Sequence, residues 1–369
     1  MSTERIMDTE KIVNTEKNRA ADKTASTGKK RKSFRNVANI ALFLLIMFLT
    51  FYTVMHGQDW IQIHAALMQL SFPCLLLMIL AALFFVCAEG GMIWYLLRAV
   101  NPESSGLLCC ISYSFIGFFY SGITPSSTGG QPVQLYYMKK DGNSLADSSV
   151  VLMTVGLLFK FVLVIVGAVL FVFWQGPLRQ YLQGYFNLYL LGLLLHVILV
   201  AALLALMAAP EKMRVLILWV EHVLTRVKIL KACDGRKEKI NGFIDGYRDA
   251  VHFLARQKGR VCVALAVTFL QRCSMFLLTG LVYFGFSQHG TGLATILLLQ
   301  ASVSVAVDML PLPGAQGITE LMYCHTFYQV FSKGYLMPSL YVTRGISFYF
   351  LLAVSLLVVA GNHIYRRKY

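Results

Sequence analysis

Three basic and three acidic side chains stand within stretches of the sequence that are otherwise almost wholly apolar. The basic residues are Lys160, Arg272 and Arg344, and the acidic ones are Glu89, Asp308 and Glu320. A charge at the centre of a bilayer costs at least about 2.5–3.5 kcal/mol, so such side chains should face the protein interior and be paired. Arginine and lysine also suit phosphate oxygens. The set therefore predicts a cationic pocket for an anionic group. The alternative is that all six form structural ion pairs between helices.

In the first interpretation, the three basic side chains neutralise the bound anion. The carboxylates, with Glu89 as a counter-ion, balance the pocket when it is empty or carry protons. Two histidines, His196 and His325, also stand in apolar stretches. We interpret both histidines as hydrogen-bonded core residues rather than as part of the pocket.

Two irregular stretches, 122–137 and 308–320, interrupt the apolar runs. Prolines cannot lie inside an unbroken helix, and paired glycines favour turned backbone. At membrane depth such backbone must be buried in protein or line a wet cavity, and transporters bind their substrates at breaks of this kind. We therefore predict substrate-binding residues in both stretches. They are Thr124, Pro125, Ser126, Gly129, Gly130, Gln131 and Gln134 in the first and Asp308, Pro313, Gly314, Gly317 and Glu320 in the second.

The composition is that of a membrane protein. Hydrophobic residues make up 57% of the 369 residues and charged residues 14%, whereas a soluble domain carries roughly 25% charged residues. The net charge of +15 is concentrated in an N-terminal arm, a central loop and the C-terminal tail. Cytoplasmic segments of membrane proteins carry such basic clusters, and we therefore predict no nucleic acid as a partner.

Sequence signatures of catalysis and of metal binding are absent. The sequence has no HExxH, GxSxG or P-loop pattern, and its eight cysteines show no CxxC or Cys/His spacing. We therefore predict no catalytic residue, no metal site and no cofactor.

Apolar runs of about 20 residues, enough to cross a ~30 Å hydrocarbon core, recur along the chain. Residues 1–35 read as a disordered, basic cytoplasmic arm, 210–260 as a basic cytoplasmic loop and 365–369 as a cytoplasmic tail. Between them lie a first membrane half, 36–209, and a second, 261–364. Both termini should be cytoplasmic in a multi-pass protein of the cell membrane. The predicted full spans are 36–56, 72–97, 147–174, 186–209, 261–286 and 341–364.

Two further segments, 106–138 and 293–331, are predicted to be re-entrant hairpins. The run 128–138 is too short to cross the bilayer, and the lysine pair after it and Arg98 before the hairpin should both be cytoplasmic. The second hairpin must open to the outer face, because the last span ends in the basic tail. The predicted all-α fold is thus six spans and two inverted hairpins with a binding site at midplane. The alternative is eight ordinary spans with proline-kinked ends.

Two polar segments carry amphipathic patterns. Within 57–71 the apolar spacing predicts a short interfacial helix. Within 210–260, Val215, Leu218, Trp219 and Val223 predict an amphipathic helix on the inner leaflet, where the basic excess favours anionic lipid as a partner. An ordinary solvated connector is an equally good interpretation of 210–260.

Three sequence stretches in this order resemble the lysylphosphatidylglycerol synthase transmembrane family. They are TPSSTGGQPVQ at 124–134, PLPGAQGITE at 311–320 and YVTR at 341–344. The resemblance covers about 36–364 and implies a polytopic helical bundle in the bacterial cytoplasmic membrane. In the two-part synthases of this family, such a region translocates aminoacylated phosphatidylglycerol, which a separate soluble domain makes. That domain does not follow the last span before Tyr369, so we expect lipid handling rather than lysyl transfer.

The positions that match the family pattern include the prolines and glycines of both breaks. They are Pro125, Gly129, Gly130, Pro132, Pro313, Gly314, Gly317, Glu320 and Arg344. Two positions depart from it, because many relatives carry an acidic residue where Gln131 stands and arginine where Gln134 stands. The first break of this chain is therefore expected to lack a charge pair.

The function expected from these observations is movement of an anionic or zwitterionic lipid, or a polyprenyl-phosphate-linked lipid, between the leaflets. Aminoacylated phosphatidylglycerol is the candidate that the resemblance implies. One alternative is an enzyme acting on a lipid headgroup, phosphatidylglycerol lysyltransferase by family name, with Asp308, Glu320 and His325 as its only cluster. Another is a non-transporting partner of an envelope synthase. The sequence leaves open whether the protein forms a homo-oligomer.

Overall fold

The computed structural model describes residues 60–124, 127–226 and 236–368, and the following statements concern these residues. Several predictions from the sequence lie outside them. They are the arm 1–35, the span 36–56, the site residues Pro125 and Ser126, and the middle of the loop 210–260.

The described residues are mostly helical and contain no β-strand. In chain order the helices are α1 (Trp60–Leu67), α2 (Phe72–Val100), α3 (Leu107–Gly122), α4 (Gly130–Lys140), α5 (Leu145–Phe173), α6 (Gln175–Leu182), α7 (Phe186–Ala208), α8 (Pro210–Arg226), α9 (Arg236–Arg256), α10 (Lys258–Gly285), α11 (Leu293–Val307), α12 (Ile318–Phe327), α13 (Leu336–Arg344) and α14 (Leu351–Lys368). A π-helical segment, Gly345–Phe350, joins α13 to α14. The prediction of an all-α fold is confirmed.

Five helical segments of the described residues are long and apolar enough to cross a membrane. They are α2, α5, the α6–α7 unit Gln175–Ala208, α10, and Leu336–Ile364, which runs from α13 into α14. These segments have 28 to 34 residues and at 1.5 Å per residue exceed the ~30 Å hydrocarbon core. They coincide with the five predicted spans that fall on described residues. The chain is thus a polytopic helical membrane protein.

Two apolar helices are too short to be spans of this kind, and both stand where a hairpin is predicted. Helix α3 has 16 residues and α11 has 15, so each extends only about 24 Å or less. After each one the backbone breaks and a second short helix packs back against the first, α4 against α3 and α12 against α11. Both predicted hairpins are therefore helix–break–helix units. Their orientation toward the two faces of the membrane stays a prediction.

The second break depends on glycine at two positions. Gly314 and Gly317 have φ values of 57° and 81°, in the left-handed region that residues with a Cβ adopt only at a cost. Gly314 lies within a 3₁₀ turn, Pro313–Ala315, and Gly317 directly precedes α12. In the first break, by contrast, Pro132 lies in the first turn of α4, where its missing N–H breaks no helical hydrogen bond.

Close helix packing at Gly90 fixes the position of α3 against α2. A Cβ at this position would lie 2.5 Å from Ile111 Cα and 2.8 Å from Ile111 N, which are backbone atoms. Its neighbour Gly91 has no atom within 4 Å of the corresponding position. Substitution by alanine is therefore expected to have opposite effects on stability at these two adjacent positions.

Gly90→Ala should lower the free energy of unfolding by about 1–3 kcal/mol, because backbone cannot yield as a side chain does. Gly91→Ala should leave it unchanged or raise it by up to about 1 kcal/mol, because alanine favours helix. Unfolding of both variants in detergent micelles checks this. Equal stability of the two variants would contradict the close packing of α2 and α3.

The two helices of the loop 210–260 differ in their surroundings. Helix α9 buries an apolar face against the bundle, where Tyr247 is fully buried and donates to Met153 Sδ at 3.6 Å. Burial raises the pKa of Tyr247 to about 12. In α8, Val215 and Trp219 stay 67% and 61% exposed. Contact of this face with the inner leaflet stays a prediction.

Candidate functional site

A cavity of about 530 Å³ lies among α2, α3, α4, α5, α10 and α11 and the π-helical segment after α13. Its volume falls in the range of about 300–1,000 Å³ that is typical of ligand sites. Eight residues that the sequence predicts for the site line it. They are Glu89, Gln131, Gln134, Lys160, Arg272, Asp308, Gly314 and Arg344. The fold thus brings positions from both breaks and from four spans to one place.

The remaining predicted residues support the breaks or the ion pairs instead of lining this cavity. Thr124 Oγ1 donates to Tyr120 O at 2.7 Å and accepts from Gly129 N at 2.9 Å, which closes the first turn. A Cβ at Gly130 would lie 2.7 Å from Gly117 O, so glycine there lets α4 approach α3. Gly317 and Glu320 belong to the second ion pair described below, and Pro313 begins the 3₁₀ turn.

Asp308 is the centre of the first charge cluster, and it follows directly after α11. Its Oδ2 accepts from Lys160 Nζ of α5, and it lies 3.7 Å from Arg272 Nη2 of α10. The same oxygen lies 3.4 Å from His196 Nε2 of α7. One carboxylate therefore connects four helices, and two cations share one negative charge.

Arg272 is the less satisfied of the two cations. Its side chain is only 7% exposed, and its Nε and Nη2 have no hydrogen-bond partner among the described residues. The guanidinium carbon lies 3.4 Å from the centre of the Phe159 ring, a favourable cation–π contact. Buried donors without an acceptor cost about 1–3 kcal/mol each. Arg272 also lines the cavity, so its positive charge lies close to any anion bound there.

A second ion pair joins the second hairpin to the last span. Arg344 Nε donates to Glu320 Oε1 at 2.6 Å, and Glu320 Oε2 accepts from Gly317 N at 2.6 Å. Glu320 thus caps the N-terminus of α12, where negative charge is favoured. Arg344 Nη2 also donates to Gly314 O at 3.4 Å. The carboxylate holds both the break and the cation beside it.

The first hairpin faces the cavity with amides. Gln134 Nε2 donates to Glu89 Oε1 at 2.8 Å, and Gln131 Nε2 donates to Leu152 O at 3.4 Å. Glycines make room for both amides, because a Cβ at Gly156 would lie 2.5 Å from Gln131 Nε2 and one at Gly117 would overlap Gln134. Among the described residues Glu89 forms no ion pair, and its carboxylate accepts from the amide of Gln134.

The interpretation of His196 as a hydrogen-bonded core residue describes only part of its surroundings. The side chain is fully buried and its Nδ1 lies 2.7 Å from Gly192 O, as expected of a hydrogen-bonded core histidine. Its other nitrogen, however, faces Asp308. The two residues are 112 positions apart, and no sequence spacing indicates such a contact. His325 contacts the Tyr185 ring at 4.7 Å and does not line this cavity.

The fold and the cavity together define a polytopic all-α membrane protein with a charged site between its helices. Residues 36–355 match the family described as the lysylphosphatidylglycerol synthase TM region, and the chain belongs to this family. The chain is also similar to a UPF0104 membrane protein of Pyrococcus horikoshii, with 24% identity over 222 residues. That match covers 58% of this chain and 65% of the relative, less than two thirds of its length.

Proposed function

We propose that this protein moves a lipid with a phosphate-bearing headgroup between the two leaflets of a membrane, with the headgroup bound in the cavity. The observation that carries the proposal is Arg272, a buried guanidinium beside Lys160 with two nitrogens that have no hydrogen-bond partner in the described part of the chain. Guanidinium and ammonium groups bind phosphate oxygens through charge-assisted hydrogen bonds. A soluble anion would be recognised in the same way, but the surrounding apolar helices favour a lipid.

Asp308 acts as the internal counter-ion in this proposal. When the cavity is empty, its carboxylate balances Lys160 and partly balances Arg272. A bound phosphate takes over one or both cations, and its negative charge offsets the excess positive charge that the empty cluster carries. This exchange of partners keeps the headgroup from being bound irreversibly, as transport requires.

The two hairpins and the last span supply the rest of the site. Gln131 and Gln134 present amides from one side, and Gly314 and Arg344 line the other. A cavity of about 530 Å³ suits a headgroup but not two full acyl chains. The chains would stay in the bilayer while one half of the bundle rocks against the other. Family membership supports aminoacylated phosphatidylglycerol as one candidate substrate.

Leaflet exchange in liposomes tests the proposal. Purified protein should accelerate exchange of at least one labelled lipid among phosphatidylglycerol, its lysyl ester, cardiolipin and a polyprenyl phosphate. Arg272→Met should slow that exchange by about tenfold or more, because it removes charge-assisted hydrogen bonds to phosphate. Arg248→Met is the matched control, since Arg248 forms an exposed ion pair with Asp245 on α9, and it should leave exchange unchanged.

Exchange no faster than in protein-free liposomes for all four lipids would overturn the proposal. Mass spectrometry of the same lipids separates transport from chemistry. A new lipid species formed by the protein would favour a lipid-modifying enzyme instead.

A further inference from the structure

We propose that His196 and Asp308 bind one proton together with the anionic headgroup, so that lipid movement is coupled to a proton gradient. This inference rests on the proposed function and adds to it the coupling ion and its site. The observation behind it is that both ring nitrogens of a fully buried histidine face hydrogen-bond acceptors.

The contact between His196 Nε2 and Asp308 lacks a hydrogen when the ring is neutral and the carboxylate is ionised. Gly192 O, 2.7 Å from Nδ1, is a backbone carbonyl that only accepts, so Nδ1 must carry a hydrogen. A neutral ring then has a lone pair on Nε2, and this lone pair faces the Asp308 carboxylate at 3.4 Å. Two acceptors in contact repel each other. A proton on Nε2 or on the carboxylate turns this contact into a hydrogen bond.

The charged groups around His196 come from three helices. Asp308 after α11 contacts it directly, and Lys160 of α5 and Arg272 of α10 reach the same carboxylate oxygen. Two other helices packed on α7 carry charged residues whose partners lie away from His196. Arg179 of α6 lies over the Phe186 ring, and Glu211 of α8 pairs with Arg214 of the same helix.

The net charge of the cluster explains why the proton and the headgroup should bind together. Lys160 and Arg272 contribute two positive charges and Asp308 one negative charge, so the cluster carries one excess positive charge. A proton on His196 alone would make two, which a buried site disfavours. A phosphate diester brings one negative charge and offsets the proton. Each ligand therefore raises the affinity for the other, and this linkage is reciprocal.

Joint binding also makes the moving complex electrically neutral. One phosphate diester and one proton cross with no net charge, which lowers the cost of passage through the bilayer centre. Since no net charge moves, the pH gradient drives this step and the membrane potential does not.

Calorimetry of lipid binding tests the proton site directly. Dihexanoyl phosphatidylglycerol is titrated into the full chain in detergent, in two buffers that differ in ionisation enthalpy. Wild type should take up about one proton per lipid bound. His196→Asn keeps a donor for Gly192 O but cannot bind a proton, and it should bind the lipid without proton uptake.

Binding by wild type without proton uptake would overturn the inference, and this result does not depend on whether the variant folds. Uptake that persists in His196→Asn would overturn the assignment to His196. No binding of the short-chain lipid between about pH 5 and 8 would overturn both the inference and the proposed headgroup site.

Liposomes with an imposed pH gradient separate the inference from the proposed function. With one proton per lipid, the ratio of labelled phosphatidylglycerol between the leaflets should shift by up to about tenfold per pH unit toward the alkaline side. Exchange that proceeds without any shift would leave the proposed function standing and refute the coupling. No exchange of any of the four labelled lipids would refute the proposed function, while calorimetry still decides whether a proton is bound.

Discussion

Asp308→Ala should lower the free energy of unfolding by about 3–5 kcal/mol, because it leaves two buried cations without their shared counter-ion. Lys160 and Arg272 are 19% and 7% exposed, and the same change removes the contact with His196. The carboxylate also connects α5, α7 and α10 to the end of α11. Its loss should therefore loosen the wall of the cavity as well as unbalance its charge.

Unfolding in detergent micelles, followed by tryptophan fluorescence, measures this effect. Asp245→Ala is the matched control, because Asp245 pairs with Arg248 at 2.6 Å but is 65% exposed. Exposed pairs of this kind contribute about 0–1 kcal/mol. Asp308→Ala combined with Lys160→Met should recover part of the stability, since it removes one uncompensated charge. A loss no larger than that of the control would show that Asp308 does not balance the cluster.

Arg344→Met should cost a similar amount, about 3–5 kcal/mol, because it leaves the carboxylate of Glu320 buried without its cation. Glu320 is 8% exposed, and after the substitution its remaining described partner is Gly317 N. The second break should then lose its connection to the last span. The proposed lipid exchange should also slow down, because Arg344 lines the cavity.

A double-mutant cycle isolates this pair from the rest of the site. Glu320→Gln keeps an acceptor for Gly317 N while removing the charge, so it preserves much of the cap on α12. Combined with Arg344→Met it should be more stable than Arg344→Met alone, with a coupling energy of about 0.5–3 kcal/mol. Additive losses in the cycle would mean that the 2.6 Å contact between Arg344 and Glu320 contributes no pairing energy.

Much of the fold follows from local properties of the chain. Apolar runs near Phe72–Val100 and Lys258–Gly285 predict spans because a ~30 Å apolar layer needs about 20 apolar residues, whatever else the protein contains. Proline and glycine predict the two breaks because their backbone limits act at their own positions. The boundaries are less well predicted. Helix α10 begins at Lys258, three residues before the predicted span 261–286, because helix ends depend on local hydrogen bonds.

The sequence selects the members of the buried charge cluster but not their pairing. The cost of a charge in an apolar run selects Lys160, Arg272 and Asp308 from the sequence, since that cost depends only on the residue and its depth. Which cation meets which carboxylate depends on helix packing. The departure at Gln134 predicted an uncharged first hairpin, but only packing shows that its amide bonds to Glu89.

The sequence determines that this chain crosses a membrane, where its helices break, and which charges must be buried. These properties arise from residue type and from neighbours along the chain. The tertiary structure decides that Asp308 holds two cations while Glu320 holds one, and that His196 faces Asp308 across 112 residues. Such contacts depend on the close approach of helices, as at Gly192, where a Cβ would lie 2.8 Å from Ala306 Cα. Contacts between distant segments exist only once the helices pack, so local sequence patterns cannot specify them.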